Sequence, residues 1–130
     1  MKRFSEWNNK KITINDKKAI FFKTREIFYA HIGENVGYEQ DGKGEDFVRP
    51  VLIFQKFNNS VFWGIPLTST LREGRFYFQF SFIKDVTSVA ILSQLKMFDA
   101  KRLDRKIGKI NKEDYEELKT KVIGLMSSEE

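Results

Sequence analysis

Few side chains in this sequence can carry out nucleophilic or acid–base chemistry. The chain contains no Cys, which excludes a thiol nucleophile, a disulfide and a zinc site with Cys ligands. Its one imidazole, His31, is of the type used for proton transfer near neutral pH. Alternation along the surrounding residues puts His31 on the same strand face as Ile27 and Tyr29, which favours a packed or rim histidine. A single His also cannot form a zinc site.

A long polar segment comes after His31. Between Gly33 and Phe47 lie four glycines and many acidic or amide side chains. A loop of this length is usually functional or disordered, so it is the first place to expect a site. Its Gly42-Lys43 pair lacks the spaced upstream Gly and the following Ser or Thr of a phosphate loop. Nucleotide binding is therefore not indicated, and the glycines are better interpreted as hinges.

The aromatic stretch Arg75–Phe82 permits two interpretations. Exposed rings can stack on the bases of single-stranded RNA, whereas alternating Phe residues in a barrel more often form its core. The second interpretation is favoured. Arg72, Arg75 and Tyr77 are then the expected RNA contacts, because they fall in the loop or on the opposite face.

Composition limits the class of protein. The 130 residues fit one domain, and with 41% hydrophobic and 15% aromatic residues the chain can bury a core. The formal charge of +5 suits an anionic partner such as RNA, although the Lys pairs also fit a solvated face. The first 24 residues have no apolar targeting core, and no later stretch reaches the length of a membrane span. These features predict a cytoplasmic protein without a membrane partner.

The strands that must position a site are predicted from β-branched and aromatic runs between turn residues. The five predicted runs are Glu26–Ile32, Val51–Phe54, Val61–Ile65, Arg75–Phe82 and Thr87–Leu92. The second and third read as a hairpin. Pro66 is expected to demote the residues after it to a strand edge, because proline lacks the N–H that a ladder needs.

Two helices are predicted near the carboxyl end. Asp99 is expected to cap a short helix through Leu103, and Asn111 with Asp114 resembles a capping box that opens a helix to about residue 125. The apolar face of the second helix consists of Tyr115, Leu118, Val122 and Leu125.

The amino end is predicted to be an appendage. Phe4 and Trp7 can share a helical face, and Ile12 and Ile14 alternate as in a short strand. The expected organisation is an appendage over 1–24, a domain over 25–126 and a tail over 127–130. The fold class is mainly β, an SH3-like small antiparallel barrel with a C-terminal amphipathic helix.

Five short motifs, in order, resemble the landmarks of the MazF/PemK toxins. They are Glu26-Ile27-Phe28-Tyr29, Gly37-Tyr38-Glu39-Gln40, Arg49-Pro50-Val51-Leu52-Ile53, Pro66-Leu67-Thr68-Ser69, and Ser93-Gln94-Leu95-Lys96 with Asp99 and Arg102-Leu103. Each motif is weak alone, and their shared order carries the resemblance.

The resemblance implies a toxin of a type II toxin–antitoxin system. Such a toxin is a homodimeric endoribonuclease that cuts single-stranded RNA without a metal or other cofactor. It leaves a 2′,3′-cyclic phosphate and a 5′-hydroxyl, and a cognate antitoxin inhibits it. The family's catalytic Arg and Thr match Arg49 and Thr68. One branch also carries a His and an Asp where this chain has Tyr38 and Ser93, which weakens a His–Asp mechanism here.

The chemistry suits those residue types. A guanidinium such as Arg49 can meet charge on a phosphoryl oxygen with two parallel hydrogen bonds. The Thr68 hydroxyl can donate to the same group, and Glu39 is a candidate general base, with water as the alternative. The expected RNA contacts are Gln40, Lys43, Ser69, Arg72, Arg75 and Tyr77.

The same residues also permit interpretations without catalysis. From the pattern alone, Arg49 also fits a surface guanidinium paired with Glu45 or Asp46, and Thr68 fits a strand-end hydroxyl bonded to nearby backbone. The alternative function is a non-catalytic binding module on the same barrel, comparable to gyrase poisons. A purely structural domain would leave the long polar loop without a purpose.

Overall fold

The two central strands of this protein form where apolar side chains have neighbours on both faces. The computed structural model describes residues 3–16, 20–32 and 48–127, and within them lie seven strands, two helices and two 3-10 turns. The strands are β1 Glu26–His31, β2 Val48–Lys56, β3 Val61–Thr68, β4 Tyr77–Ile83, β5 Val86–Ile91, β6 Lys96–Asp99 and β7 Leu103–Lys109. The helices are α1 Phe4–Asp16 and α2 Lys112–Met126, and the 3-10 turns are Leu92–Gln94 and Ala100–Arg102.

One antiparallel sheet has the strand order β4-β5-β3-β2-β1-β7, with β6 also paired to β3. Strand β3 pairs with β2 along one edge, while its other edge pairs first with β6 and then with β5. Sharing one strand between two partners in this way curls the sheet into a half-barrel. The predicted mainly β, antiparallel architecture is therefore confirmed.

Strand β2 is buried on both faces. Leu52 packs into one apolar cluster with Ile65 and Leu67, whereas Val51 and Ile53 pack into another that is rich in Phe. Because neighbouring side chains along a strand point to opposite faces, a strand covered on both sides reads as an unbroken apolar run. That requirement explains the sequence Val51–Phe54.

Helix α2 covers the first cluster. Tyr115, Leu118 and Val122 are buried, and the Tyr115 hydroxyl donates a 2.8 Å hydrogen bond to the Phe54 carbonyl. The helix begins as predicted: the Asn111 side chain accepts from the Asp114 N–H at 2.7 Å and caps the first turn. The capping box and the apolar face are both confirmed.

Helix α1 corrects one prediction. Ile12 and Ile14, interpreted as a short strand, lie in a 13-residue helix. Trp7 and Ile14 are buried seven residues apart, two turns along one helical face, and this contact determines the local structure. The Arg102 guanidinium lies 5.6 Å from the centre of the Trp7 ring, and Lys101 Nζ donates to the Asn15 carbonyl at 3.1 Å.

Three further predictions were incomplete or wrong. Asp99 caps a short helix as predicted, but it is the 3-10 helix Ala100–Arg102, which ends one residue before Leu103, where β7 begins. Strands β6 and β7 were not predicted. Pro66 lies inside the central strand β3, opposite Val51, and pairing continues past it at Leu67 and Thr68.

No helix in the described part of the chain is long and apolar enough to cross a membrane.

Two glycines should respond to alanine with opposite signs. A Cβ on Gly64 would lie 2.7 Å from Val51 and 2.8 Å from Phe98, both buried, so Gly64→Ala should lower the free energy of unfolding by about 1–3 kcal/mol. Gly124 in α2 has open space around it, and Gly124→Ala should raise stability by about 0.5–1 kcal/mol. Urea denaturation of both variants checks this, and a stabilising Gly64→Ala would contradict the packing described.

Candidate active site

A cavity of about 630 Å³ opens where β2 begins and β3 ends, with β7 passing beside them. This volume lies in the range of small-molecule sites. Leu67, Phe82 and Ile107 contribute apolar surface to its wall. The polar residues that line it are Arg49, Thr68, Ser69, Ser88, Asp104 and Arg105.

The β2–β3 pairing brings Arg49 and Thr68 together from distant positions in the sequence. Val51 pairs with Pro66 and Leu52 with Ile65, and continuing this register by two residues places Arg49 opposite Thr68. Opposed residues in antiparallel strands share a face of the sheet. Both side chains are half-buried and line the same cavity. A guanidinium and a hydroxyl therefore line one cavity.

The Thr68 hydroxyl has a defined local partner. Its oxygen accepts a hydrogen bond from the Thr70 N–H at 3.2 Å. This is the backbone contact expected of a strand-end Thr, and it fixes the position of the side chain. Because the oxygen is the acceptor, the bond leaves the hydroxyl proton available for donation. Ser69 is exposed and lines the cavity beside it.

Strand β7 contributes side chains that the sequence analysis missed. Tyr29 pairs with Arg105 and Ala30 with Leu103, so Asp104 is an extra residue in a β-bulge. Consecutive residues of a regular strand point to opposite faces, yet Asp104 and Arg105 both line the cavity. The Arg105 guanidinium lies 4.7 Å from the centre of the Tyr29 ring. A strand interpretation of Leu103–Lys109, instead of a helix ending at Leu103, would have pointed to these residues.

His31 lies behind the cavity. It is 4% exposed, in agreement with the packed histidine favoured from the sequence. Its Nε2 is 3.8 Å from Asp104 Oδ1, and its carbonyl accepts from the Arg102 guanidinium at 3.0 Å. Burial lowers the pKa of Arg102, and the Asp99 charge opposes that shift.

Three other predicted RNA contacts lie apart from this cavity. Arg72 and Arg75 are exposed in the β3–β4 connection, and the Arg75 guanidinium lies 5.2 Å from the centre of the Phe76 ring. Tyr77 begins β4, at the opposite end from Ile83, which lines the cavity. The Tyr77 carbonyl accepts from Lys121 on α2. The structure therefore separates these residues from Arg49 and Thr68.

The phenylalanine side chains of β4 pack in the core. Phe80 is buried in the first cluster with Phe78 and Phe82 packed against it, which is the core interpretation of the alternating aromatics. Glu39, Gln40 and Lys43 lie outside the described residues, as does Tyr38. Ser93 is exposed in the 3-10 turn Leu92–Gln94. Among the described residues, no three His, Asp or Glu side chains are grouped as metal ligands would be.

Comparisons with solved structures give the same fold. The Mycobacterium tuberculosis toxin MazF-mt6 is 18% identical with a TM-score of 0.62, covering 82% of this chain and 100% of that one. MazF from Deinococcus radiodurans is 15% identical with a TM-score of 0.66, covering 86% and 100%. An endoribonuclease from a mycobacterial species, solved with its cognate antitoxin, is 13% identical with a TM-score of 0.59, covering 82% and 95%. At these identities the likeness establishes the fold.

Sequence comparison supplies the family. No curated protein sequence is similar enough to the chain to count as a match. A family model described as PemK-like, MazF-like toxin of type II toxin-antitoxin system matches residues 23–126, which include all of α2 and each of the seven strands described above. The chain therefore belongs to the PemK-like, MazF-like toxins of type II toxin–antitoxin systems.

Proposed function

We propose that this chain is an endoribonuclease that cleaves single-stranded RNA without a metal ion and leaves a 2′,3′-cyclic phosphate and a 5′-hydroxyl. The observation that carries the proposal is that Arg49 and Thr68 line one cavity. Further support comes from a similar fold that is described as an endoribonuclease in complex with its antitoxin.

The proposed reaction uses the ribose itself as nucleophile. The 2′-oxygen attacks the adjacent phosphorus, the bond from phosphorus to the 5′-oxygen breaks, and negative charge grows on the phosphoryl oxygens. Arg49 meets that charge with two N–H donors, and Thr68 donates its hydroxyl proton to the same group. Fixed donors of this kind cost no reorganisation during the reaction, which is the source of the rate enhancement.

Contacts other than those of Arg49 and Thr68 position the RNA strand in this proposal. Ser69 lines the cavity and is assigned to the scissile phosphate group, whereas Arg72, Arg75 and Tyr77 are assigned to nucleotides farther along the strand. About five residues of β4 separate Tyr77 from Phe82, or roughly 17 Å at 3.3–3.4 Å per residue. Gln40 and Lys43 remain predicted contacts from the loop, and Glu39 remains a predicted base or orienting group.

Assembly and regulation are proposed from the family. We propose a symmetric homodimer with the RNA groove at its interface, inhibited by a cognate antitoxin that occupies this groove. The cytoplasm, where messenger RNA and newly made antitoxin meet, is the proposed place of action. The charge of +5 fits both an RNA strand and an acidic inhibitor segment.

A matched pair of substrates tests the reaction. Purified protein is incubated in EDTA with a mixed-sequence RNA and, separately, with the same sequence carrying 2′-O-methyl groups. The RNA should be cut and the methylated strand should stay intact, because methylation removes the attacking hydroxyl. Failure of folded protein to cut the RNA, or equal cutting of both strands, would contradict the proposal.

A further inference from the structure

The bulge in β7 places a carboxylate in the proposed active site. Asp104 is the unpaired residue between Leu103 and Arg105, and its side chain, 41% exposed, lines the cavity with Arg49 and Thr68. Bulges recur beside active sites because they re-aim a side chain that a regular strand would direct to the other face. Here two consecutive residues, one acidic and one basic, face the same cavity.

The carboxylate is backed by a buried imidazole. The His31 side chain is 5% exposed, with Nε2 3.8 Å from Asp104 Oδ1, too long for a hydrogen bond but within ion-pair range when the ring is protonated. The Arg102 guanidinium donates to the His31 carbonyl, which ties the end of β1 to the turn before β7. The backbone on both sides of Asp104 is therefore held in place.

We infer that Asp104 is the proton acceptor for the attacking 2′-hydroxyl and that His31 is its positioning residue; the inference rests on the proposed function. The 2′-oxygen forms its bond to phosphorus as its proton passes to an Asp104 oxygen. The 5′-oxygen then leaves with the electron pair of the broken P–O bond and takes a proton from water. Solvent removes the proton from Asp104, and the carboxylate is restored.

The surroundings of Asp104 fit a carboxylate that works while ionised. The ionisable side chains that line the cavity with it are Tyr29 from β1, Arg49 from β2 and Arg105 on β7, and His31 from β1 approaches it to 3.8 Å. Strands β4 and β5 present only non-ionisable side chains to the cavity: Phe82, Ile83, Val86 and Ser88. Among the described residues that line the cavity, Asp104 is the one carboxylate, and Arg49 and Arg105 are the cations.

The test compares pH–rate profiles of four proteins acting on RNA in EDTA. Asp104→Asn should lower kcat by about 10²–10⁴-fold with little change in KM, and should remove the limb on which activity rises with pH. Asp85→Asn is the matched control: Asp85 lies in the β4–β5 turn with φ of 63°, a conformation that Asn adopts readily. The control should keep the wild-type rate and limb. Glu39→Gln changes the rival candidate base, and the limb should persist in this variant even where its rate is lower.

Each outcome separates the proposed function from the role of Asp104. Wild-type protein that does not cut RNA overturns the proposed function and this inference with it. Wild-type cutting combined with an Asp104→Asn variant that keeps the rate, keeps the limb or changes only KM overturns the inference alone. The inference is also overturned if Glu39→Gln loses the rise of activity with pH while Asp104→Asn keeps it.

The role of His31 is tested separately. His31→Gln keeps a nitrogen donor near the position of Nε2, whereas His31→Leu removes it, and circular dichroism shows whether each variant folds. His31→Gln should retain the rise of activity with pH, and its kcat should be higher than that of His31→Leu. Equal kcat, KM and pH profiles for two folded variants would overturn the positioning role.

Discussion

Arg49→Ala should lower kcat for RNA cleavage by about 10²–10³-fold while the protein stays folded, because it removes the donors aimed at the developing phosphoryl charge. Arg49→Lys should recover only part of the loss, since an ammonium is a point charge and cannot make two parallel hydrogen bonds. Thr68→Val, which keeps the side-chain shape, should cost about 10–10²-fold, the value of one hydrogen bond to a charged group. Single-turnover cleavage rates check all three.

Two exposed arginines serve as matched controls for Arg49. Arg72→Ala and Arg75→Ala lower the net charge by the same amount, but neither residue lines the cavity. They should raise KM in a salt-dependent way and leave the single-turnover rate at saturation nearly unchanged. If all three arginine variants lose kcat equally, net charge and not the position of Arg49 determines activity, and the site assignment is wrong.

Phe62→Ala should lower the free energy of unfolding by about 3–5 kcal/mol. Phe62 is fully buried, with ring centres 5.2 Å from Phe22 and 5.5 Å from Phe98, so truncation leaves a cavity among rigid neighbours. Phe62 lies on β3, the strand that also carries Thr68, so cleavage should fall with the folded fraction. Chemical denaturation measures the loss.

Phe57→Ala is the control for this substitution. Phe57 precedes β3 in the same hairpin and is 50% exposed, with its main ring contact to the exposed Trp63. Its removal should cost less than about 1 kcal/mol, in line with surface substitutions. Similar losses for the two variants would contradict the separation of a buried Phe cluster from the exposed pair.

Strands β1 to β5 were predictable because the pattern of apolar and polar side chains along each strand reflects which of its faces are buried. The apolar run Val51–Phe54 is buried on both faces. Asn111 and Asp114 indicate the start of a helix because they form a local capping hydrogen bond. Arg49 and Thr68 were found through the family resemblance, and their register across β2 and β3 is then set by the hairpin. Local chemistry and one short-range pairing suffice for these elements.

The errors have a common physical origin in long-range contacts. Residues 96–109 are largely polar and form strands because β3 and β1 offer them edges, which no local pattern in the segment reveals. Helix α1 likewise depends on the burial of Trp7 and Ile14 against the rest of the chain. Asp104 reaches the cavity through a bulge, and a bulge is a relation between two strands and not a property of one.

The ends of the RNA fragments test the central claim most directly. Mass spectrometry of products made in EDTA should show upstream fragments ending in a 2′,3′-cyclic phosphate and downstream fragments beginning with a 5′-hydroxyl, since the proposed nucleophile at the Arg49–Thr68 cavity is the ribose 2′-oxygen. Arg49→Ala protein should release the same ends about 10²–10³-fold more slowly. Fragments with 5′-phosphate and 3′-hydroxyl ends, or cleavage that requires a divalent metal, would contradict the account.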